Sequence, residues 1–178
     1  MDTLLQPARL QNEKVALTPL LESDWDALYT VASDPGIWEQ HPNPDRWQEL
    51  VFRNYFTGAM ESKGAFLIRD AATGEPIGCS RYYDHDPEKK ELKIGYTFFA
   101  RSTWQKGYNR AAKHLMLAHA FTFVDTVIFH VGEQNMRSRT AMEKLGAEQI
   151  GIEAVAYYGE AVKNNVVYRI RKESWLKN

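Results

Sequence analysis

Two short segments carry residues whose types and spacing can do chemistry. The first, Trp104-Gln105-Lys106-Gly107-Tyr108-Asn109-Arg110, stands where a strand-like run gives way to a long helical pattern. A helix start presents backbone N–H groups without intrahelical partners and the positive end of the helix dipole, so it attracts an anion. Gly107 lets backbone approach a phosphate closely, and Lys106 and Arg110 add charge suited to a diphosphate. An ordinary loop with one glycine has the same local pattern. The second segment, Asn135-Met136-Arg137-Ser138, opens the next short helix. Asn135 and Ser138 are placed there either to meet a ligand or, as at many helix starts, with Asn135 as the cap and Ser138 in the first turn.

Candidates for proton transfer are sparser. Glu91 and Lys93 share one face of a strand by two-residue alternation, and His130 lies within a later strand. A histidine has an intrinsic pKa near ~6.5, suited to a general base, yet one inside a strand is often a packed core residue. The loop over residues 37–47 gathers Trp38, Glu39, His41 and Trp47, a set that suits an amine through cation–π and charge contacts. Aromatics anchoring a loop to the core read the same way, and Tyr157 and Tyr158 share the ambiguity. Cys79, the single cysteine, excludes an internal disulfide and sits in an apolar run that reads as a strand, so a buried, inert thiol is expected.

These segments need elements to position them. A first strand is expected over residues 15–20, a helix from Ser23 stopped by Asp34-Pro35-Gly36, and a second helix over 48–60. A three-strand antiparallel meander follows over 65–70, 76–83 and 91–99. The long helix spans about 107–123, with Ala112, Leu115, Met116, His119 and Phe123 as its inward stripe, and leads to a strand over 126–131. A short helix over 135–145, closed by Gly146, precedes two strands over 149–157 and 164–171. The order implies an α/β (α+β) fold: a mixed, mostly antiparallel sheet of about seven strands with helices on both faces.

The 178 residues fit a single domain spanning 1–178, with 1–13 as an N-terminal extension. At 44% hydrophobic and 25% charged, the composition is that of a globular chain with one core. Lys+Arg 22 against Asp+Glu 23 gives a net charge of −1, which offers no global field for nucleic acid or an anionic membrane. Residues 1–11 lack the pattern of a signal segment and no apolar run approaches the ~20 residues of a span, so a cytoplasmic location is expected. No metal site is expected. A dinucleotide fingerprint needs more glycines than surround Gly107, and a phosphate loop needs Gly-Lys-Ser/Thr.

Together the two segments resemble the GNAT superfamily of N-acetyltransferases. Its Arg/Gln-x-x-Gly-x-Gly/Ala loop is matched by the segment from Trp104 to Asn109. The branch resembling ribosomal-protein N-terminal acetyltransferases, which often has Trp first, also carries Asn-x-x-Ser and Glu-Lys-Leu-Gly, here Asn135, Ser138 and Glu143-Lys144-Leu145-Gly146. Leu17-Thr18-Pro19-Leu20 with Asp24, and Ile94-Gly95-Tyr96, extend the likeness over residues 15–172. Two departures stand out: Asn109 replaces the second small residue, and Met142 replaces the tyrosine that in many relatives protonates the departing thiolate.

The resemblance implies acetyl-CoA as cosubstrate and an amine acceptor, either a small molecule or a protein N-terminus, attacked directly by the neutral amine. It implies that backbone from Gln105 through Lys106, Gly107 and Tyr108 to Asn109, with Arg110, holds the diphosphate. Thr97, Phe98 and Phe99 would meet the pantetheine arm and the thioester carbonyl, with Asn135 as a further pantetheine contact. Ser138 takes the acid's role, Glu91 and His130 are the candidate bases, and Trp38 and His41 line the acceptor pocket. A monomer or homodimer is expected. A non-catalytic acyl-CoA-binding module is the alternative, given Met142 and the unsettled base.

Overall fold

The computed structural model describes residues 4–177. β1 (Leu10–Gln11) and β2 (Val15–Pro19) lead into α1 (Trp25–Ala32), and two single 3-10 turns, Pro35–Ile37 and Pro44–Trp47, precede α2 (Glu49–Ser62). The meander is β3 (Ala65–Asp70), β4 (Pro76–Asp86) and β5 (Glu91–Phe99); α3 (Tyr108–Ala120), β6 (Thr126–Gly132) and α4 (Met136–Lys144) follow. β7 (Glu148–Ala156), β8 (Val162–Arg171) and α5 (Lys172–Trp175) close the chain.

The strands form one sheet in the order β1-β2-β3-β4-β5-β6-β8-β7. Each neighbouring pair is antiparallel except β5 and β6, which run parallel. Eight strands, among the described residues, replace the expected seven. The addition is β1, in the stretch expected as an extension, and two residues are too few to show a strand's alternation. Residues 1–3 of that stretch lie outside the described residues. One face of the sheet carries α3 and α4, whose Ala112, Met116, Leu117 and Met142 join Val15, Ile94 and Val127 in one apolar cluster. The other carries α1, α2 and the loop holding Trp38, packed on Leu67, Cys79 and Phe98.

The inward stripe of α3 differs from the expected one. Ala112, Lys113, Met116, Leu117 and Ala120 are its buried residues. The helix ends at Ala120, so Phe123 lies beyond it, and Leu115 packs only partly against the core. Tyr82 of β4 fixes the docking angle, its buried hydroxyl donating to the Met116 carbonyl at 2.6 Å.

A bulge in β5 sets up the rest. Cys79 faces Phe98 and Arg81 faces Gly95, so β4 advances two residues while β5 advances three. Tyr96 takes up the extra residue with φ +52°, a left-handed conformation rare outside glycine and asparagine. Its carbonyl accepts a hydrogen bond from the Tyr55 hydroxyl. Before the bulge Leu92 and Ile94 face the α3 cluster; after it Phe98 packs with the α2 cluster and Phe99 returns to the α3 side. The redirected strand turns away from β6. Parallel pairing covers only Glu91, Leu92 and Lys93 against Thr126, Val127 and Ile128, although the strands run on to Phe99 and Gly132. The facing edges of the two central strands therefore diverge toward their C-terminal ends, and α3 and α4 begin just past those ends.

Candidate active site

The divergence opens a cleft of about 820 Å³. Its walls are the free edges of β5 and β6, the starts of α3 and α4, and, at the far end, Trp38, His41, Arg46 and Tyr157. Position at the C-terminal ends of diverging parallel strands is where α/β sheets commonly bind ligands, because backbone groups there lack strand partners.

At one mouth the chain turns into α3 through two left-handed residues, Gln105 (φ +60°) and Gly107 (φ +82°). Gly107 is the helix N-cap and supplies no side chain to cap the first turn, so the leading N–H groups of α3 stay open to a ligand. Asn109, at the second small position, has its Oδ1 buried without a hydrogen-bond partner among the described residues. An amide orphaned at a helix start is suited to a ligand, since its NH₂ can be turned to donate. Gln105, Gly107, Tyr108, Asn109 and Arg110 line the cleft. Lys106 does not: its ammonium bonds back to the Ser102 carbonyl at 2.7 Å. Tyr108 ties the helix start to β3, donating to Asp70 Oδ2 at 2.6 Å.

Trp104 has a structural task. Its indole N–H donates to the Phe99 carbonyl at 3.0 Å, and the Arg137 guanidinium lies 3.7 Å from the centre of its ring. Arg137 also donates to the Ile37 carbonyl at 3.0 Å. The starts of α3 and α4 are thus joined to the 37–41 loop across the cleft.

At α4 the buried Asn135 accepts the backbone N–H of Ser138 on its Oδ1 at 3.2 Å. The capping role is therefore real. It uses only the oxygen, and the Nδ2 hydrogens meet no protein acceptor among the described residues. The Ser138 hydroxyl likewise has no protein partner there, and both residues line the cleft, as does the buried Met142.

The far end is aromatic. Trp38 is 1% exposed and its indole N–H donates to the Ala32 carbonyl at 2.8 Å, so it both anchors the loop and lines the cleft. His41 has a donor on each side, the Asn43 backbone N–H at 3.0 Å from Nδ1 and the Arg46 guanidinium 3.3 Å from Nε2. Burial, reinforced by Arg46, holds its pKa well below the usual histidine value. Tyr157 lines this end, its hydroxyl donating to Asn165 Oδ1 at 2.7 Å, whereas Tyr158 does not reach the cleft.

Arg46, its partner Glu160 and Glu153 escaped sequence reasoning. Arg46 is 1% exposed, grips Glu160 with two bonds of 2.6 and 2.8 Å, and lies within 6 Å of four ring centres: Trp38, Tyr55, Tyr96 and Tyr157. Glu153, on the exposed β7, holds His130 Nε2 at 3.1 Å. Arginine next to Trp47 and a glutamate on a polar strand carry no local signal of either role.

His130 lies on the face of β6 opposite Phe129 and lines the cleft, its side chain only 3% exposed. The Tyr83 hydroxyl stands 3.5 Å from Nδ1. Burial first, then Lys93, lowers its pKa below the usual value, against the pull of Glu153. Glu91 is not brought to the same place. It opens β5 at the paired end, opposite Thr126, away from the cleft. Cys79 is buried as expected, and burial pushes its thiol's pKa up.

A family model described as an acetyltransferase (GNAT) domain matches residues 14–148. The chain belongs to the GNAT acetyltransferases. It is an acetyl-CoA-dependent N-acetyltransferase, and the expected resemblance is upheld. A solved structure of a T. thermophilus protein assigned as an acetyltransferase shares 28% identity with this GNAT chain, at TM-score 0.77 over 96% of it and 93% of the other. A second protein so assigned gives 28% identity and TM-score 0.80 over 96% and 90%. RimJ of Mycobacterium smegmatis, solved with CoA-disulfide, has the same fold at 19% identity, TM-score 0.72, over 93% and 87%.

The cleft of this GNAT chain fits its cosubstrate on its own terms. Open N–H groups at α3 and the orphaned Asn109 amide suit a diphosphate, and the unpaired β5 edge offers backbone partners to an amide-bearing arm. No helix among the described residues is long and apolar enough to cross a membrane.

Proposed function

We propose that acetyl transfer takes place in the cleft between β5 and β6, by direct attack of a neutral amine on the acetyl-CoA thioester. The observation that carries this reading is the early end of β5–β6 pairing beside the open start of α3. The first-turn N–H groups from Gly107 to Arg110, with Gln105, hold the diphosphate. The backbone of Thr97, Phe98 and Phe99 pairs with the pantetheine arm and polarises the carbonyl. Asn135 contributes its free Nδ2 hydrogens to the same arm.

The new C–N bond forms as the C–S bond breaks, so one proton leaves the amine and one reaches the sulfur. His130 takes the first. With Glu153 accepting from Nε2–H, the lone pair resides on Nδ1, and the lowered pKa keeps the ring neutral at physiological pH. The Ser138 hydroxyl assists the thiolate, a light task because a thiol with a pKa near ~8.5 leaves readily. The acceptor is an amine on a small molecule or a protein N-terminus, entering past Trp38, His41 and Tyr157.

The test is thiol release from saturating acetyl-CoA with a panel of polyamines, aryl and alkyl amines and N-terminal peptides. H130Q is expected to lower kcat/KM by about 10²–10⁴, the range for losing a general base. E91Q is expected to leave it within about twofold, since Glu91 stands outside the cleft. Loss with E91Q and none with H130Q would overturn the assignment of the base.

A further inference from the structure

Lys113 is 4% exposed, lines the cleft, and contacts no carboxylate among the described residues. It projects from α3 onto the β5 bulge. Its Nζ lies 2.6 Å from Thr97 Oγ1 and 3.3 Å from Ser80 Oγ, and those two hydroxyls are 2.8 Å apart.

The hydrogen-bond partners of Nζ suit a neutral amine. One arrangement satisfies all three groups: Thr97 donates its single hydroxyl hydrogen to the Gly95 carbonyl 3.3 Å away, and its Oγ1 accepts from its other neighbours. Ser80 then donates to Thr97, and Lys113 donates to both oxygens. A neutral amine has two hydrogens for these two acceptors and keeps a lone pair. An ammonium has a third hydrogen with no further hydrogen-bond acceptor among the described residues; the face of Phe129 lies 5.8 Å from Nζ. Desolvation accordingly brings the pKa down to about 7.

Among the groups around it the Cys79 thiol favours the charged amine, and burial outweighs it. β4 contributes the Cys79 thiol and Arg81 from the opposite sheet face and the Tyr82 hydroxyl, already bonded to Met116. β5 contributes the Tyr96 ring and β6 contributes His130, both on the far face; α3 itself carries Arg110 one turn before Lys113 and His114 directly after it. No carboxylate among the described residues compensates a charge at Nζ.

We propose that Lys113 is a positioning residue: its neutral amine fixes Thr97 and thereby the bulged β5 backbone that receives the thioester, and protonation of that amine weakens acetyl-CoA use. This rests on the reading that the thioester lies along β5. Thr97 is the first residue past the left-handed Tyr96, so its side chain is the nearest handle on the bulge from the α3 side. The amine acts through Thr97 and is assigned no step of its own in the chemistry.

The test uses the full chain as wild type, K113M and K113Q. Lysine labelled with ¹³C at Cε is titrated by NMR, and KM for acetyl-CoA and kcat are measured with one acceptor from pH 6 to pH 9. One lysine resonance is expected to titrate near neutrality and to vanish in both variants. Wild-type KM is expected to rise about tenfold between pH 8 and pH 6, as the neutral fraction falls tenfold per pH unit below the pKa. K113Q, which keeps a donor and cannot titrate, is expected to hold a KM near the wild-type alkaline value across the range. K113M is expected to have a raised KM that does not respond to pH.

A Lys113 resonance titrating above pH 9, or the same pH-dependent rise of KM in K113Q, would overturn the proposal. If K113M does not fold, the wild-type and K113Q comparison decides alone. Amide shifts of Thr97, Phe98 and Phe99 on adding CoA separate the two readings. No movement there sinks the placement of the thioester; movement with an unchanged K113Q profile sinks the role of Lys113.

Discussion

Arg46 and Glu160, 114 residues apart in sequence, form a bidentate ion pair that joins the 41–47 loop to the β7–β8 turn over the aromatic end of the cleft. Their side chains are 2% and 7% exposed. A pair so buried is held by its mutual attraction and by the ring faces around the guanidinium, and removing one partner leaves the other charge desolvated.

E160A is therefore expected to destabilise the fold by about 3 kcal/mol or more, since a buried guanidinium is left uncompensated. R46M/E160M, which removes both charges, is expected to cost less than E160A alone. Urea unfolding of the three proteins checks this, and equal costs for the single and double variants would contradict it.

Gly107 separates the cradle from the core. A Cβ there meets nothing nearer than the Lys14 side chain at 3.7 Å. The cost of G107V therefore comes from its left-handed backbone, about 1–2 kcal/mol. The variant is expected to fold and to show a KM for acetyl-CoA raised at least about tenfold, because the branched side chain crowds the N–H groups of α3. Thermal melts and initial rates measure the two effects separately.

His41 gives the stability its acid limb. The folded ring is held neutral, with a pKa well below the unfolded value near ~6.5. Below that pH the unfolded chain binds more protons than the folded one, so stability falls as pH drops. H41Q is expected to flatten the slope of unfolding free energy between pH 6.5 and pH 4.5, measured by urea titration; an unchanged slope would mean the ring accepts a proton in place.

Lys113 acts on the alkaline side. Between about 7, its folded value, and the unfolded value near ~10.4, the unfolded chain again binds more protons, so wild-type stability gains on that of K113M as pH rises. A gain of a few kcal/mol from pH 7 to pH 10 is expected. The tyrosine and thiol contributions to alkaline unfolding are common to both proteins and cancel in the difference.

Much of the frame was legible in the residues. β3 and β5 have the expected bounds because a continuous apolar run in the first and an alternating one in the second are set off by turn residues. The starts of α3 and α4 were legible because glycine and asparagine announce helix ends by type. The bulge was not, since nothing in the residue type of Tyr96 marks a left-handed backbone; the Arg81 and Tyr55 contacts that hold it come from distant segments. Lys113 was passed over because helical periodicity assigns lysine to the solvent side, and only the pair of hydroxyls from β4 and β5 makes room for it inside. Glu153 and Glu160 became site residues through pairing across the sheet and the loops, which local patterns do not encode.

The central claim is that the cleft between β5 and β6 holds acetyl-CoA, and amide NMR of the ¹⁵N-labelled chain titrated with CoA tests it most directly. The expected result is saturable shifts concentrated at Gln105, at Gly107 through Arg110, and at Thr97, Phe98 and Phe99. Saturable binding with shifts confined elsewhere, as around the smaller cavity of Asn12, Lys14 and Asp70, would contradict it.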